Sequence, residues 1–345
     1  MTTKETLLEL SGESGGGQLL RSALTLSMVT GRPFHMSRIR AARPKPGLMR
    51  QHLTCVNAAA AISGAKVADA ALGATGITFE PGGITGGEHQ FTIGTGGSTT
   101  LVLQTLLPAL LMAGSESAVR IEGGTHNPLA PPYEFIERCY LPVLARMGAK
   151  VAVSLERHGF MQAGGGTITA SVKPLKKWKK LKLTERGEPA AMSGTIIHAH
   201  LPERIARREI EAAAEALDWP VDRFTIRDAA DSAGPGNAVL LEAAYRNVTA
   251  ISSAIAMVGK SAERVASGAA KGLRGYLASS APVGVHLADQ LLLPMALAGA
   301  GLIHTRAISE HTRSNIDLIQ KFLPVRFEIT ETAPGVRAIK LAPEK

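Results

Sequence analysis

Apolar positions along this chain alternate between two rhythms. Over residues 18–30, Leu19, Leu20, Leu24 and Met28 fall on one helix face, and Gly31-Arg32-Pro33 ends the run. Residues 34–39 then read as a strand and 48–63 as a second helix closed by Gly64. Short strands follow at 66–67 and 77–79, a long apolar helix at 99–112, a strand at 119–122, a helix at 132–147 and a strand at 150–155. The first 155 residues thus hold about two copies of a helix–strand–helix–strand unit, alike in rhythm but not in sequence. The rhythm resumes after about residue 278, with an apolar helix over 288–300 and another over 310–323 that buries Ile316, Ile319 and Leu323 before Pro324. In between, the composition changes: 202–217 is a charged amphipathic helix, 231–237 a turn, 239–242 a strand and 263–277 a helix. The pattern predicts an α/β (α+β) chain with a large domain of repeated units over 1–183 and 278–345 and a smaller α/β insert domain over 184–277.

Composition narrows the partners. With 45% hydrophobic and 19% charged residues in 345, the chain is globular. A net charge of +9 favours an acidic partner such as nucleic acid or nucleotide. Only 4% of residues are aromatic, too few to stack a long single strand, so phosphates and one nucleic-acid end are the expected targets. Cys55 and Cys139 form neither a disulfide framework nor a zinc motif. The first five residues hold no apolar signal core, and the greasiest stretches, 101–113 and 291–303, are short for a membrane span and carry Pro108 and Pro294. A cytoplasmic chain with no membrane contact is expected. Residues 172–182 carry six lysines around Trp178; a solvated edge strand accounts for them better than a strand touching RNA backbone.

Several segments offer anion chemistry. Gly15-Gly16-Gly17 opens the first helix, where bare N–H groups and the helix dipole favour a phosphate, and Arg21 lies one turn in. Residues 40–52 hold Arg40, Arg43, Lys45, Arg50 and His52 in a loop stiffened by Pro44 and Pro46. Glycine-rich loops at 94–100, with Gln104 one turn on, and at 123–132 join strands to helices in the same manner, so the loops are expected to line one cleft. His158 to Gly166 reads as a turn and bulge. His311 and Asn315 share a face at the start of the last helix, where a neutral imidazole is a competent nucleophile. Asp289 and Gln290 are expected at the start of the preceding apolar helix, where a carboxylate binds a metal, orients an imidazole or simply complements the helix dipole.

From Gly15 to about Glu331 the chain closely resembles the RNA 3′-terminal phosphate cyclase family. The matching runs include residues 15–22, 43–48, 50–53, Gly123-Gly124-Thr125 with Asn127-Pro128, Ala130-Pro131-Pro132, Gly164-Gly165-Gly166, Gly234-Pro235-Gly236-Asn237, 287–291 and 293–296. The resemblance implies three repeated α/β units, each with two helices on a four-stranded sheet, and a small α/β insert. It implies an ATP-dependent ligase that converts the 3′-terminal phosphate of RNA to a 2′,3′-cyclic phosphate. His311 would be the catalytic residue and form a histidine–AMP adduct; AMP would then pass to the RNA phosphate. ATP and phosphate contacts are implied for Gln18, Arg21, Arg40, Arg43, Gln51, His52, Gln104, Pro131, His286, Asp289, Gln290 and Asn315. Mg2+ or Mn2+ is the implied metal. A homodimer is left open. The chain departs from the family where Ser14 replaces the glutamate before the glycines, which leaves Glu13, one residue earlier, or Asp289 with the ATP phosphates to hold a metal. Gln162 stands where the family has proline. Two other readings are a cyclase-like RNA-binding scaffold without catalysis, against which His311 and the arginines speak, and a small-molecule transferase on a similar repeated fold.

Overall fold

The computed structural model describes residues 6–14, 16–161 and 163–343; Gly15 and Gln162 lie outside the described residues. The chain builds one pattern three times. The first unit runs β1 (Leu8–Ser11), α1 (Gly16–Thr30), β2 (Phe34–Ser37), α2 (Arg50–Ser63), β3 (Lys66–Ala68) and β4 (Ile77–Glu80). The second runs β5 (Gly87–Thr92), α3 (Thr99–Leu110) and β6 (Ser117–Gly123), then a helix in three pieces, and then β7 (Lys150–Arg157) and β8 (Gly166–Lys173). Those pieces are α4 (Tyr133–Phe135), a π turn (Ile136–Tyr140) and α5 (Leu141–Arg146). Strand β9 (Leu181–Leu183) opens the third unit, but the chain then leaves it for β10 (Pro189–Ala199), α6 (Glu203–Leu217), β11 (Phe224–Asp228), β12 (Gly236–Tyr245), β13 (Thr249–Ile255) and α7 (Ala262–Leu277). It returns as α8 (Val285–Leu297), β14 (Gly301–Thr305), α9 (Glu310–Phe322), β15 (Val325–Ala333) and β16 (Val336–Pro343).

Sheet orders reveal the repeat: β1-β2-β4-β3, β5-β6-β8-β7 and β9-β14-β16-β15. In each, the first two strands pair in parallel and the others antiparallel. The fourth sheet, β11-β10-β12-β13, belongs to the insert. Each repeated sheet is apolar on one side only. In β6, Ser117, Val119, Ile121 and Gly123 point inward, while Ala118 and Arg120 face water. The helices therefore lie inside, and one continuous core joins residues from Leu10 to Leu341. Helix α3 is so central that Gln104 is its one residue not buried. Among the described residues, no helix is long and apolar enough to cross a membrane.

Some sequence expectations change. Strands β1, β5 and β9 are short or mostly polar and leave little periodic signal, and β8, although Ile168, Ala170 and Val172 alternate with polar residues, is not among the strands expected above; with all four the unit is β-α-β-α-β-β rather than an alternation of helix and strand. The expected helix over 132–147 carries a π turn, because Pro142 has no N–H to donate and its ring crowds the carbonyl four residues back. The lysine-rich stretch is not one strand: Val172 and Lys173 end β8, residues 174–180 bridge two units with Trp178 buried as an anchor, and β9 begins at Leu181. Asp289 and Gln290 lie in the second turn of α8, not at its start.

Glycines weld the second unit to the insert. A Cβ at Gly236 would fall inside the ring of Phe160. Beside it, the Asn237 side-chain amide donates to Glu209 Oε2 at 2.8 Å within the insert. Arg227 of β11 reaches Glu134 at 3.3 Å, and Asp231 accepts from the His158 backbone N–H at 3.0 Å. Burial raises the Glu134 carboxyl, but His126 and Arg227 overcome this and hold it at about 2. Gly236→Ala should therefore destabilise the protein by about 1–3 kcal/mol through overpacking. Thermal unfolding checks this; an unchanged melting temperature would mean the Phe160 ring moves aside freely.

Candidate active site

One wall of the site grows from the first unit. The β1–α1 turn brings Gly16 to φ +57°. A Cβ at Gly16 would meet the Arg43 guanidinium at 3.1 Å, and one at Gly17 would overlap His52 Nε2. The two glycines thus admit an arginine and a histidine against the start of α1. Arg40, itself at φ +56°, turns its Nη1 back to donate to the Lys45 and Gly47 carbonyls at 2.8 and 2.7 Å, which fixes the proline-stiffened loop. Arg43 lies on the exposed part of that loop. No ion pair among the described residues involves Arg21, Arg40 or Arg43. His52 Nδ1 accepts from the Met49 N–H at 3.2 Å, which leaves the ring proton on Nε2, facing Gly17. Burial, with Arg21 and Arg40 adding repulsion, pushes the His52 imidazole down to about 3. Desolvation also lowers the Arg21 guanidinium. Such electrostatics suit an anion.

The opposite wall comes from the third unit. Ser309 caps α9, accepting from the Thr312 N–H at 2.9 Å. Asp289 of α8 accepts from both Ser309 Oγ (2.9 Å) and Thr312 Oγ1, and so anchors the start of α9. Burial raises its carboxyl, against the pull of those hydroxyls. His311, the second residue of α9, is left exposed on the cavity side. Asn315 is buried; its Nδ2 donates to the Asp289 carbonyl at 3.3 Å, and its Oδ1 has no partner.

These walls enclose a cavity of about 770 Å3. Gln18, Arg21, Arg40, Arg43, Gln51 and His52 line it from the first unit. Gln104 and Pro131 line it from the second, and His286, Asp289, Gln290, His311 and Asn315 from the third. Gln104 Nε2 donates to Gln290 Oε1 at 2.5 Å across the unit boundary. Gln51 Oε1 accepts from the Ser98 N–H at 3.1 Å. The Pro131 carbonyl accepts from Thr100 at 2.7 Å. Glu13 stands apart: it pairs with Arg38 at 2.5 Å on the surface and does not line the cavity. The glycine loop at 94–97 does not line it either. Gly96 and Gly97 instead let backbone pack on backbone, against Met161 and beneath Gly123 and Gly124. Sequence gave no sign that the insert contributes: residues 249–253 and Tyr276 complete the lining, through docking that no local pattern encodes.

The family model for RNA 3′-terminal phosphate cyclase matches residues 12–329. The chain belongs to the RNA 3′-terminal phosphate cyclase family. It is 50% identical over 325 residues to an RNA 3′-terminal phosphate cyclase from Koribacter versatilis, covering 94% of this chain and 92% of that one. It is 48% identical over 334 residues to one from Ectopseudomonas mendocina, covering 97% and 98%. Among solved structures, the enolpyruvyl transferase NikO from Streptomyces tendae aligns over 97% of this chain and 48% of its own at 9% identity and a TM-score of 0.35, a likeness too slight to bear on fold or function.

In this member of the cyclase family, neutral His52 leaves a mark on stability. Unfolded, its imidazole takes up a proton near 6.5; folded, it does so only near 3. The unfolded state therefore binds more protons between those values, and stability falls as pH drops through 6.5. Between pH 7 and pH 5, wild-type unfolding free energy should fall about 2 kcal/mol further than that of His52→Gln. Urea titrations at both pH values read this, and parallel losses would show that His52 titrates normally.

Proposed function

We propose that this protein converts an RNA 3′-terminal phosphate to a 2′,3′-cyclic phosphate at the expense of ATP, with His311 as the nucleophile. One observation carries the reading: the exposed imidazole of His311 opens onto the same cavity as Arg21, Arg40 and Arg43, which lack carboxylate partners among the described residues. A phosphomonoester resists attack because its leaving groups are poor. Joining AMP to it supplies a good one.

In the first step a His311 ring nitrogen bonds to the α-phosphorus of ATP and the bond to pyrophosphate breaks. Asp289 acts through Ser309 and Thr312, which set the pitch of α9 and hence the aim of His311. Arg21, Arg43 and the N–H groups at the start of α1 hold phosphate charge. His52, kept neutral, donates from Nε2 without adding charge. In the second step an oxygen of the RNA 3′-phosphate displaces His311 from the AMP phosphorus. In the third, the neighbouring 2′-oxygen attacks the activated phosphate, AMP leaves, and the ring closes. Apart from the covalent part taken by His311, the path is positioning and electrostatics.

Mg2+ or Mn2+ meets no ready cage among the described residues. Among the described residues, no group of three His, Cys, Asp or Glu side chains is placed to hold a metal ion. Glu13 is engaged by Arg38, and Asp289 by two hydroxyls. We assign the ion's oxygen ligands chiefly to ATP itself.

Two tests address this reading. His311→Ala should fold as wild type and take no label from α-labelled ATP, whereas wild type gives an acid-labile, base-stable labelled band; full labelling of the variant removes His311 from the role. Arg43→Ala should lose about 2 kcal/mol of transition-state stabilisation, roughly a thirtyfold fall in cyclisation at limiting substrate. A normal rate would make the loop a solvated surface.

A further inference from the structure

The cavity has a wall that these steps leave idle. Five consecutive residues of β13, Thr249 to Ser253, line it. Neighbouring side chains of a strand point to opposite faces, so a continuous run means the strand presents its edge. Strand β13 is indeed an outer strand of the insert sheet, with main-chain groups left unpaired by the sheet on one side. Behind it, Ser252 Oγ donates to the Ala269 carbonyl of α7 at 2.7 Å, in space that Gly272 leaves open.

Arg306 completes this wall. It follows β14 directly, on the loop that presents His311 five residues later. Its guanidinium lies over α7 at Gly275, where a Cβ would overlap Nη1. The residue is exposed, and no ion pair among the described residues involves it.

We propose that Arg306 and the edge of β13 form a subsite for the RNA phosphate that precedes the terminal one. The proposal rests on the cyclase reading above. An RNA whose end lies at His311 must run its chain out of the cavity, and the subsite places that path past the loop on which His311 stands. Arg306 is on that loop, so a second phosphate meets a planar fork of donors suited to two phosphate oxygens. The outer peptide groups of β13, apart from the Ile251 N–H that faces the Cys139 thiol, and the Ser253 hydroxyl offer partners of both kinds to the ribose and base behind it. The chain's few aromatic residues fit a grip on phosphate rather than on stacked bases.

The test measures binding of a short 3′-phosphorylated RNA oligonucleotide by fluorescence anisotropy, without ATP, across a salt series. Arg306→Ala should raise Kd about tenfold. It should also flatten the slope of log K against log salt by about 0.7, the mark of one lost phosphate contact on a single strand. Arg306→Lys should recover part of both. The same loss should appear with an otherwise identical RNA ending in a 3′-hydroxyl, and AMP labelling of Arg306→Ala should match wild type. An unchanged Kd overturns the subsite. A loss confined to the phosphorylated RNA moves Arg306 to the terminal phosphate, and a parallel loss of labelling moves it to ATP; either result overturns the proposal. Failure of the cyclase reading shows separately, as wild type that takes no label.

Discussion

Three sheets, each apolar on one face, can cover that face only by sharing helices. Everything else in the molecule follows from this constraint. The sheets stand outside with their charged faces in water, and the helices crowd a common core. The helices that open the units, α1, α3 and α8, each place their sixth residue on the central cavity: Arg21, Gln104 and Gln290. A polar side chain at the meeting point of three buried helices needs a partner. Gln104 and Gln290 hydrogen-bond to one another, while Arg21 has no carboxylate partner among the described residues.

The repeat also explains where His311 stands. Gln51, Glu134 and His311 are each the second residue of the second helix in their unit. The third residue folds back on the cap in two of the units: His52 Nδ1 accepts from the Met49 N–H, and Thr312 Oγ1 from the Ser309 N–H. One backbone frame thus holds three different side chains. Gln51 ties the neighbouring loop through Ser98, Glu134 joins the insert through Arg227, and His311 alone is left facing open space. Division of labour came from side chains, with the frame kept.

Much of this was legible in the sequence, and the reasons for the rest are physical. Long amphipathic or apolar runs announced α1, α2, α3, α6, α7 and α9, because burial imposes a period on them. The residues that gather round the cavity, from Gln18 to Asn315, were marked by family motifs rather than by spacing. Strands such as β5, Gly-Glu-His-Gln-Phe-Thr, carry polar residues on their outer face and look like loops. The repeat showed in the sequence only as a rhythm, with little residue identity between units beyond spacings such as Gln104–Pro108 and Gln290–Pro294. Topology exposed it at once. The glycine loops at 94–100 and 123–132 have the pattern of anion holders, yet Gly96, Gly97, Gly123 and Gly124 serve close contact between the two loops. Chain composition does not distinguish the two uses of a missing Cβ.

The insertion point of the fourth sheet also sets a timetable. Strand β9 must wait for β14: Leu183 pairs with Ile303 only after the whole insert has been made. Contacts so distant in sequence close slowly, whereas the first two units can complete their own sheets as they emerge. The arginine wall of the cavity can therefore form before His311, on the opposite wall, has been synthesised. A nascent chain halted short of α9 carries the arginine-lined half of the cavity without the wall that presents His311.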